Sequence, residues 1–289
     1  MCKLHKALYG LKQAPRSWYD KIDSFFIEHG FHRSLNDPNL YTKINKQRQI
    51  ILISLYVDDM IITRNADNLI KEIKQQMSQV FEMKDLGDLH YCIGLEVWKD
   101  SSQTFLTQGK YARTLLERFI MEQCKTTATP LQQNLKLSSD DGTKQVDATL
   151  YRKLVGSMIY LTTTRPDLAY SVSVLSQFMS RPIDSHWNAA KCVLRYLSGT
   201  CNYGLLYTDI SNVTLAGYSD SDWAGNVDDR RSITGYAFSI GSGVISWSSK
   251  KKSTVALSSC EEEYQALCAA TCEAIWLRRL LSDTGEGQK

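Results

Sequence analysis

The sequence predicts a mixed fold, in which an α+β unit, a helical connection and an α/β unit follow one another. Its 289 residues are about twice the length of a common domain, and 43% are hydrophobic, enough for two cores. Strand-length apolar runs alternate with helical patterns up to residue 121, helical patterns alone fill 149–198, and short strands return from 203. The polar segment 125–149 predicts a linker.

The spacing of apolar residues predicts the individual elements. Trp18, Ile22, Phe25 and Phe26 recur at helical spacing before Gly30. In chain order we expect a helix from 14 to 30, strands over 50–57 and 60–63, a helix over 67–81, strands over 89–98 and 103–106, helices over 108–121, 149–162, 166–180 and 184–198, strands over 203–208, 213–219, 234–240 and 243–248, and a helix over 261–281.

Composition and charge exclude several classes of protein. A net charge of +3 excludes a histone-like polybasic binder, but not a basic groove in a balanced surface. The eight cysteines form no CxxC pair, which argues against a zinc ribbon and for reduced thiols in an intracellular protein. No signal peptide opens the sequence, and the most apolar stretch, 50–62, is too short to span a bilayer. We therefore expect a protein that is neither secreted nor membrane-bound.

Two adjacent carboxylates, Asp58 and Asp59, follow the apolar run that ends at Val57. Two such charges are not buried together without a counter-charge, so a divalent cation is a natural partner. Mg²⁺ prefers carboxylate and phosphate oxygens. The alternative is a solvent-exposed turn, where aspartate is common for conformational reasons alone.

A second acidic group is divided between the end of a predicted strand and the start of the last predicted helix. Asp220 and Asp222 end the strand, and glutamates 261–263 open the helix. Acids in a first helical turn suit the helix dipole, and Ser258 or Ser259 can cap the helix. The glutamates therefore also have a purely structural explanation.

Three consecutive lysines, Lys250, Lys251 and Lys252, follow the last predicted strand. Such side chains contact phosphates without reading a base sequence. The alternative is a solvated strand end with no ligand.

Motifs on both sides of Asp58 and Asp59 resemble the reverse transcriptase of copia-type long-terminal-repeat retrotransposons. They are Leu-Tyr-Gly-Leu-Lys-Gln-Ala-Pro-Arg-Ser-Trp at 8–18, Phe-Glu-Met-Lys-Asp-Leu-Gly-Asp-Leu-His-Tyr at 81–91, and Ile-Gly at 93–94. In that resemblance, 8–18 matches the segment beside the incoming nucleotide and Asp58-Asp59 the metal-binding hairpin of the palm. Residues 91–95 match the primer-grip hairpin, and 110–130 the stretch where a thumb would lie.

The resemblance continues through the rest of the chain. Tyr-Arg at 151–152, Thr-Arg-Pro-Asp at 164–167 and Leu-Arg-Tyr-Leu-Ser-Gly-Thr at 194–200 look like the connecting region of the same polyprotein. Residues 217–264 look like its ribonuclease H domain. There the family's strand aspartate and helix glutamate, both metal ligands, correspond to Asp220 and Glu263, while Asp222 is not favoured.

The resemblance implies Mg²⁺-dependent DNA synthesis on an RNA or DNA template and hydrolysis of RNA in RNA–DNA hybrids, with Mn²⁺ able to replace Mg²⁺. It implies a primer–template, an RNA–DNA hybrid and dNTP as partners, and a cytoplasmic particle or the nucleus as location. The implied segments are a palm and thumb without fingers (1–124), a linker (125–149), a helical connection (150–202) and the first part of a ribonuclease-H-like domain (203–289). The implied metal-binding catalytic residues are Asp58, Asp59, Asp220 and Glu263, and the implied nucleic-acid contacts are Lys12, Gln13, Arg16, Tyr91 and Gly94. Lys250 and Lys251 are further candidate contacts, expected from their charge and not from the resemblance.

The same resemblance raises an expectation about activity. The family's polymerase takes another essential aspartate from a strand well before the motif at 8–18, and its nuclease takes further acids from beyond the last helix. We therefore expect a slice of a polyprotein that is inactive alone in both reactions and docks to the missing segments. The alternatives are a non-catalytic module that holds an RNA–DNA hybrid, and an unrelated metal nuclease that uses Asp58, Asp59 and Asp220 as one site.

Overall fold

The structure is a computed structural model that describes residues 10–45, 47, 49–64, 67–209 and 214–285. It is a mixed α/β protein whose strands pair in antiparallel sheets. It divides into two compact units. One unit comprises the described residues up to Leu89 and those from Ile275 onward, and the other runs from His90 to Ala274.

The first unit is built on a four-stranded sheet in the order β1-β2-β3-β4. Its strands are β1 (His32–Arg33), β2 (Leu40–Ile44), β3 (Ile50–Tyr56) and β4 (Asp59–Arg64), and its helices include α1 (Ala14–Glu28) and α2 (Asp67–Val80). The helical spacing of Ile22 and Phe26 places both in one core with Tyr41, Ile53 and Met77, and all five are fully buried. The sequence predicted both helices and the pair β3–β4 but not β1 and β2.

The second unit contains two further sheets. One has the order β5-β6-β7-β8, with β5 (Tyr91–Cys92), β6 (Leu95–Lys99), β7 (Gln103–Thr107) and β8 (Gly204–Thr208). The other has the order β11-β10-β9, with β9 (Leu215–Ser221), β10 (Ile233–Ile240) and β11 (Gly243–Lys251). Strand β8 pairs with β7, so residues 204–208 belong to the sheet of residues 91–107 and not to that of β9–β11.

Helices form the rest of the second unit and its largest core. They are α3 (Gly109–Arg118), α4 (Ala148–Leu161), α5 (Ala169–Ser176), α6 (Asp184–Gly199) and the long helix α7 (Ser259–Asp283). The residues of α7 from Ile275 onward belong to the first unit. Tyr151, Leu154, Val155 and Met158 recur three or four residues apart and are fully buried, so this face of α4 meets α3, α5 and α6. The prediction of one helix over 166–180 is wrong, because a 3-10 turn at Pro166–Leu168 precedes α5.

The segments implied by the resemblance do not coincide with the compact units. The units divide at 89/90 and 274/275, while the implied segments divide at 124, 149 and 202. Residues 125–147 contain no named strand or helix. Among the described helices, none combines the length and apolar character that a bilayer crossing requires. The seven cysteines that the structure describes are free thiols.

Candidate catalytic and nucleic-acid-binding sites

The acidic pair lies at the tip of the hairpin between β3 and β4. Tyr56 pairs with Asp59, which leaves Val57 and Asp58 as the turn, and both aspartates are exposed. The predicted hairpin with exposed carboxylates is confirmed. Two exposed carboxylates on one tight turn fit a hard divalent cation, because they leave coordination positions for water or phosphate oxygens.

A side chain of the upstream motif holds this turn in place. The Nε1 of Trp18 donates a hydrogen bond of 2.7 Å to the carbonyl oxygen of Val57, and its ring packs edge-on against Phe81 at 5.4 Å between centroids. Val57 has φ +55°, a left-handed conformation that β-branched residues rarely adopt. The start of α1 and the acidic turn are therefore direct neighbours.

The predicted contacts Lys12, Gln13 and Arg16 surround the beginning of α1. Gln13 is its N-cap residue, and all three side chains are exposed. The first two residues of the motif, Leu8 and Tyr9, lie outside the described residues.

The second acidic group brings the end of β9 next to the start of α7. Ser221 Oγ donates a hydrogen bond of 3.1 Å to Glu262 Oε1. Glu262 is 1% exposed, and its Oε2 is buried without a hydrogen-bond partner in the structure. Asp220 and Glu263 are both exposed. The end of β9 and the first turn of α7 are neighbours, as a metal site shared by Asp220 and Glu263 would require, but the glutamate that turns toward β9 is Glu262.

From the sequence, Glu262 was expected only to interact favourably with the dipole of the last helix. Its burial follows from helical spacing, because Glu262, Ala266, Ala270 and Leu277 form the buried stripe of α7. The sequence also offers Glu263 and Leu267 at helical spacing, and the structure shows that Leu267 is exposed and the stripe of Glu262 is buried. Within the described ranges, no group of three or more His, Cys, Asp or Glu side chains could hold a metal ion between them.

Asp222 has a structural role in the loop between β9 and β10. Its Oδ1 accepts a hydrogen bond from the Ile233 backbone N–H, and its own N–H donates to the Ile233 carbonyl at 3.1 Å. Burial, with a smaller contribution from the charge of Asp220, raises the pKa of the Asp222 carboxyl above its ordinary value. Asp222 thus closes the loop between β9 and β10.

The hairpin β5–β6 presents the predicted primer contacts. Tyr91 pairs with Glu96 and Cys92 with Leu95, which leaves Ile93 and Gly94 as a two-residue turn. Tyr91 is 62% exposed. Glu96 is buried and accepts a hydrogen bond of 2.8 Å from the Lys110 N–H at the start of α3, which anchors the stem of the hairpin.

The three lysines differ in their surroundings. Lys250 is exposed, Lys251 Nζ lies 2.9 Å from Asp229 Oδ2, and Lys252 Nζ donates to the Gln265 carbonyl at 3.3 Å. They border a cleft of about 520 Å³ between the sheet and α7. Of these three lysines, Lys250 is the one that is exposed to solvent and makes neither of these two contacts.

Comparisons with known proteins identify relatives of this chain. Residues 1–133 match the family described as "Reverse transcriptase (RNA-dependent DNA polymerase)". Over 285 residues, the chain is 44% identical to the retrovirus-related Pol polyprotein from transposon RE2 of Arabidopsis thaliana, covering 99% of this chain and 20% of that protein. It is 42% identical over 298 residues to the corresponding polyprotein from transposon TNT 1-94 of Nicotiana tabacum, covering 100% of this chain and 22% of the relative.

A shorter relative matches along most of its own length. The putative transposon Ty5-1 protein of Saccharomyces cerevisiae is 32% identical over 266 residues, covering 91% of this chain and 86% of the relative. No solved structure matches the chain.

These matches define a class, the transposon proteins that carry a reverse transcriptase domain. The chain belongs to the family of copia-type retrotransposon Pol polyproteins, which confirms the resemblance found in its motifs. It spans about a fifth of the length of the Pol polyproteins it matches.

Proposed function

We propose that this chain supplies a metal-binding hairpin and, separately, a primer-holding hairpin for RNA-directed DNA synthesis. The observation that carries the proposal is the exposed pair Asp58-Asp59 at a turn that Trp18 holds against α1. The turn and the motif that anchors it both lie within the residues that match the reverse transcriptase family.

The residues suit distinct tasks in this reaction. Asp58 and Asp59 would hold Mg²⁺, or Mn²⁺ in its place, together with phosphate oxygens of a dNTP. The bound ion would stabilise the charge that develops on the transferred phosphate. Lys12, Gln13 and Arg16 would contact the nucleotide side of the site, and Tyr91 with Gly94 would contact the primer strand.

The second acidic group supports a ribonuclease-H-like site in the same polyprotein. Asp220 and Glu263 would be its metal ligands, and Lys250 and Lys251 would contact the hybrid backbone. The contact between Ser221 and Glu262 supports this proposal, because it joins the two elements that carry the ligands. In such a site the metal ions would assist hydrolysis of the RNA strand.

Each predicted site contains two carboxylates in this chain, whereas two-metal phosphoryl chemistry draws on carboxylates on both sides of the ion pair. We therefore propose that the isolated chain binds a primer–template or an RNA–DNA hybrid without turning either over. Phosphate contacts spread over many side chains can maintain binding when catalysis is lost.

The test measures binding and turnover on the same duplex. Fluorescence anisotropy follows a labelled RNA–DNA primer–template with and without Mg²⁺, and a gel assay follows primer extension and RNA cleavage. We expect salt-sensitive binding that Mg²⁺ strengthens, with no extension and no cleavage.

The Mg²⁺ effect should be reduced in the double variant Asp58→Asn, Asp59→Asn, with any remainder due to the site at Asp220 and Glu263, and should persist in full in the control Asp88→Asn, which removes another exposed carboxylate of the first unit. Absence of duplex binding at low salt, or a Mg²⁺ effect that is undiminished in the double variant, would contradict the binding proposal. Primer extension that depends on Asp58 and Asp59 would contradict the proposed lack of turnover.

A further inference from the structure

The turn between β5 and β6 has an unusual residue, a β-branched isoleucine, at a position that a two-residue hairpin turn keeps left-handed. Ile93 has φ +50° and Gly94 has φ +80°, so both turn residues are left-handed. A β-branched residue rarely adopts this conformation, and it persists where the surrounding structure holds it. Two residue pairs join β5 to β6, and one further backbone hydrogen bond of 2.9 Å runs from the Val97 N–H to the His90 carbonyl. This short ladder leaves room for a stabilising contact from outside the hairpin.

Tyr160 of α4 makes that contact. Its hydroxyl donates a hydrogen bond of 2.9 Å to the carbonyl oxygen of Ile93. A Cβ built on Gly94 would come within 1.6 Å of Tyr160 Oη and 2.9 Å of Tyr160 Cζ. The close approach of the tyrosine thus requires glycine at 94, both for its backbone conformation and for the space it leaves.

Tyr160 is itself fixed by α3 and by the residues around it. Its carbonyl accepts a hydrogen bond of 3.2 Å from Gln108 Nε2, and Gln108 Oε1 accepts one of 2.8 Å from Thr164 Oγ1. Gln108 is 2% exposed, so this amide is locked in the interior. Tyr111 packs edge-on against the Tyr160 ring at 4.7 Å between centroids. The tyrosine is a rigid support for the turn.

We infer that Tyr160 is a positioning residue that sets where the hairpin presents Tyr91 and Ile93 to a nucleic-acid strand. Ile93 is 46% exposed and Tyr91 is more exposed still, so both face solvent near the turn. Glu96 anchors the stem of the hairpin and Tyr160 anchors its tip. The inference rests on the proposed binding of a primer–template by this hairpin.

The experiment compares Tyr160→Phe, which removes only the hydroxyl, with Tyr111→Phe, which removes a neighbouring hydroxyl and leaves the ring contact. Hydrogen exchange of the amides at 92–95 is measured by mass spectrometry without nucleic acid. Affinity for an RNA–DNA primer–template and its salt dependence are measured in parallel.

We expect faster exchange at 92–95 in Tyr160→Phe, and a loss of affinity of about 3- to 10-fold, the size expected for one hydrogen bond. The salt dependence should stay as in the parent, because no phosphate contact is removed. Tyr111→Phe should behave like the parent. Unchanged exchange at 92–95, or faster exchange with full affinity, would overturn the inference.

A parent chain that does not bind the duplex would overturn the proposed function instead, and with it the role of the hairpin in binding. Exchange at 92–95 would still report whether Tyr160 holds the turn. A double-mutant cycle with Gly94→Ala adds a second check, because Tyr160→Phe removes the atom nearest to the added methyl. The effect of Gly94→Ala on exchange should be smaller in the Tyr160→Phe background, and additive effects would show that the two residues do not act on each other.

Discussion

The indole nitrogen of Trp18 and the carbonyl oxygen of Val57 lie 2.7 Å apart and form a hydrogen bond. Val57 is 64% exposed, so packing of its own side chain does not explain its left-handed backbone. The hydrogen bond ties that conformation to α1, 39 residues earlier in the sequence. Trp18 therefore supports the acidic turn without being a ligand itself.

Replacing Trp18 by Phe should weaken the acidic turn while keeping an aromatic ring beside Phe81. We expect the free energy of unfolding to fall by about 1–2 kcal/mol, from one lost hydrogen bond and a small loss of packing. The strengthening of duplex binding by Mg²⁺ should fall as well, because Asp58 follows the released carbonyl.

Urea unfolding and anisotropy with and without Mg²⁺ measure the two effects. Trp98→Phe is the control, since Trp98 is 64% exposed and far from the acidic turn in sequence. Equal behaviour of the two variants would remove Trp18 from its supporting role.

Protonation of His186 should destabilise the second unit. The ring is fully buried and stacked on Phe178 at 3.8 Å, with Nε2 2.9 Å from the Ser138 carbonyl and Nδ1 accepting from the Ile183 N–H at 3.2 Å. Burial lowers the pKa of His186, although the Ser138 carbonyl and the charges of Asp141 and Asp228 oppose this shift. The neutral ring therefore has both nitrogens satisfied.

The direction of the pH effect follows from the lowered pKa. The unfolded chain, with a histidine pKa of about 6.5, binds the proton more readily than the folded chain, so stability falls as the pH drops through that value. The decrease continues until the pKa of the folded state is reached, with a slope of at most about 1.4 kcal/mol per pH unit. Urea unfolding from pH 7.5 to 5 should show a flatter profile for His186→Gln, and equal slopes would contradict the prediction.

Glu262 and Glu263 should differ in their effect on stability although they are neighbours. Glu262→Ala removes the acceptor of the Ser221 hydroxyl and a buried side chain, so we expect a loss of about 1–2 kcal/mol. Glu263→Ala changes an exposed side chain and should stay within about 0.5 kcal/mol of the parent. Thermal or urea unfolding of both variants decides the point, and a larger loss from Glu263→Ala would reverse the assignment of the buried glutamate.

Local patterns were sufficient for most of the fold. Helical spacing predicted α1 and α4, and an apolar run on each side of two aspartates predicted the hairpin of β3 and β4. The same rules missed β2, because the short stretch at 40–44 has no clear alternation in the sequence. They could not predict that β8 joins β7, because that pairing connects residues about 100 positions apart.

In the candidate sites, too, the features that depend on neighbouring residues were predicted and those that depend on distant contacts were not. The positions of Asp58 and Asp59 followed from residues beside them in the sequence. Whether Glu262 or Glu263 faces β9 depends on the rotation of α7 about its own axis. The burial of Ala266 and Ala270 in the core sets that rotation. The role of Tyr160 depends on a contact across 67 residues, and no local pattern contains it.

Lys250 and Lys251 should contribute unequally to nucleic-acid binding although both were predicted as phosphate contacts. The Lys251 ammonium lies 2.9 Å from Asp229, so its charge is already offset. Burial opposes the shift, but the hydrogen bond from Lys251 and, to a smaller extent, its charge help to lower the pKa of the Asp229 carboxyl. Lys250 is exposed. Each phosphate contact adds about 0.9 to the slope of log affinity against log salt concentration. Lys250→Gln should therefore lower that slope by nearly this amount, while Lys251→Gln should lower it by less than half as much.

Two further variants make the test specific. Asp229→Asn releases the Lys251 ammonium and should increase both the affinity for an RNA–DNA hybrid and the salt slope. Lys136→Gln removes an exposed lysine outside the cleft. It should change the affinity and the salt slope only by the small general effect of removing one positive charge from the protein. Anisotropy titrations at several salt concentrations give all four slopes. If Lys251→Gln lowers the slope as much as Lys250→Gln does, the ion pair with Asp229 opens on binding, and the two lysines act as equal phosphate contacts.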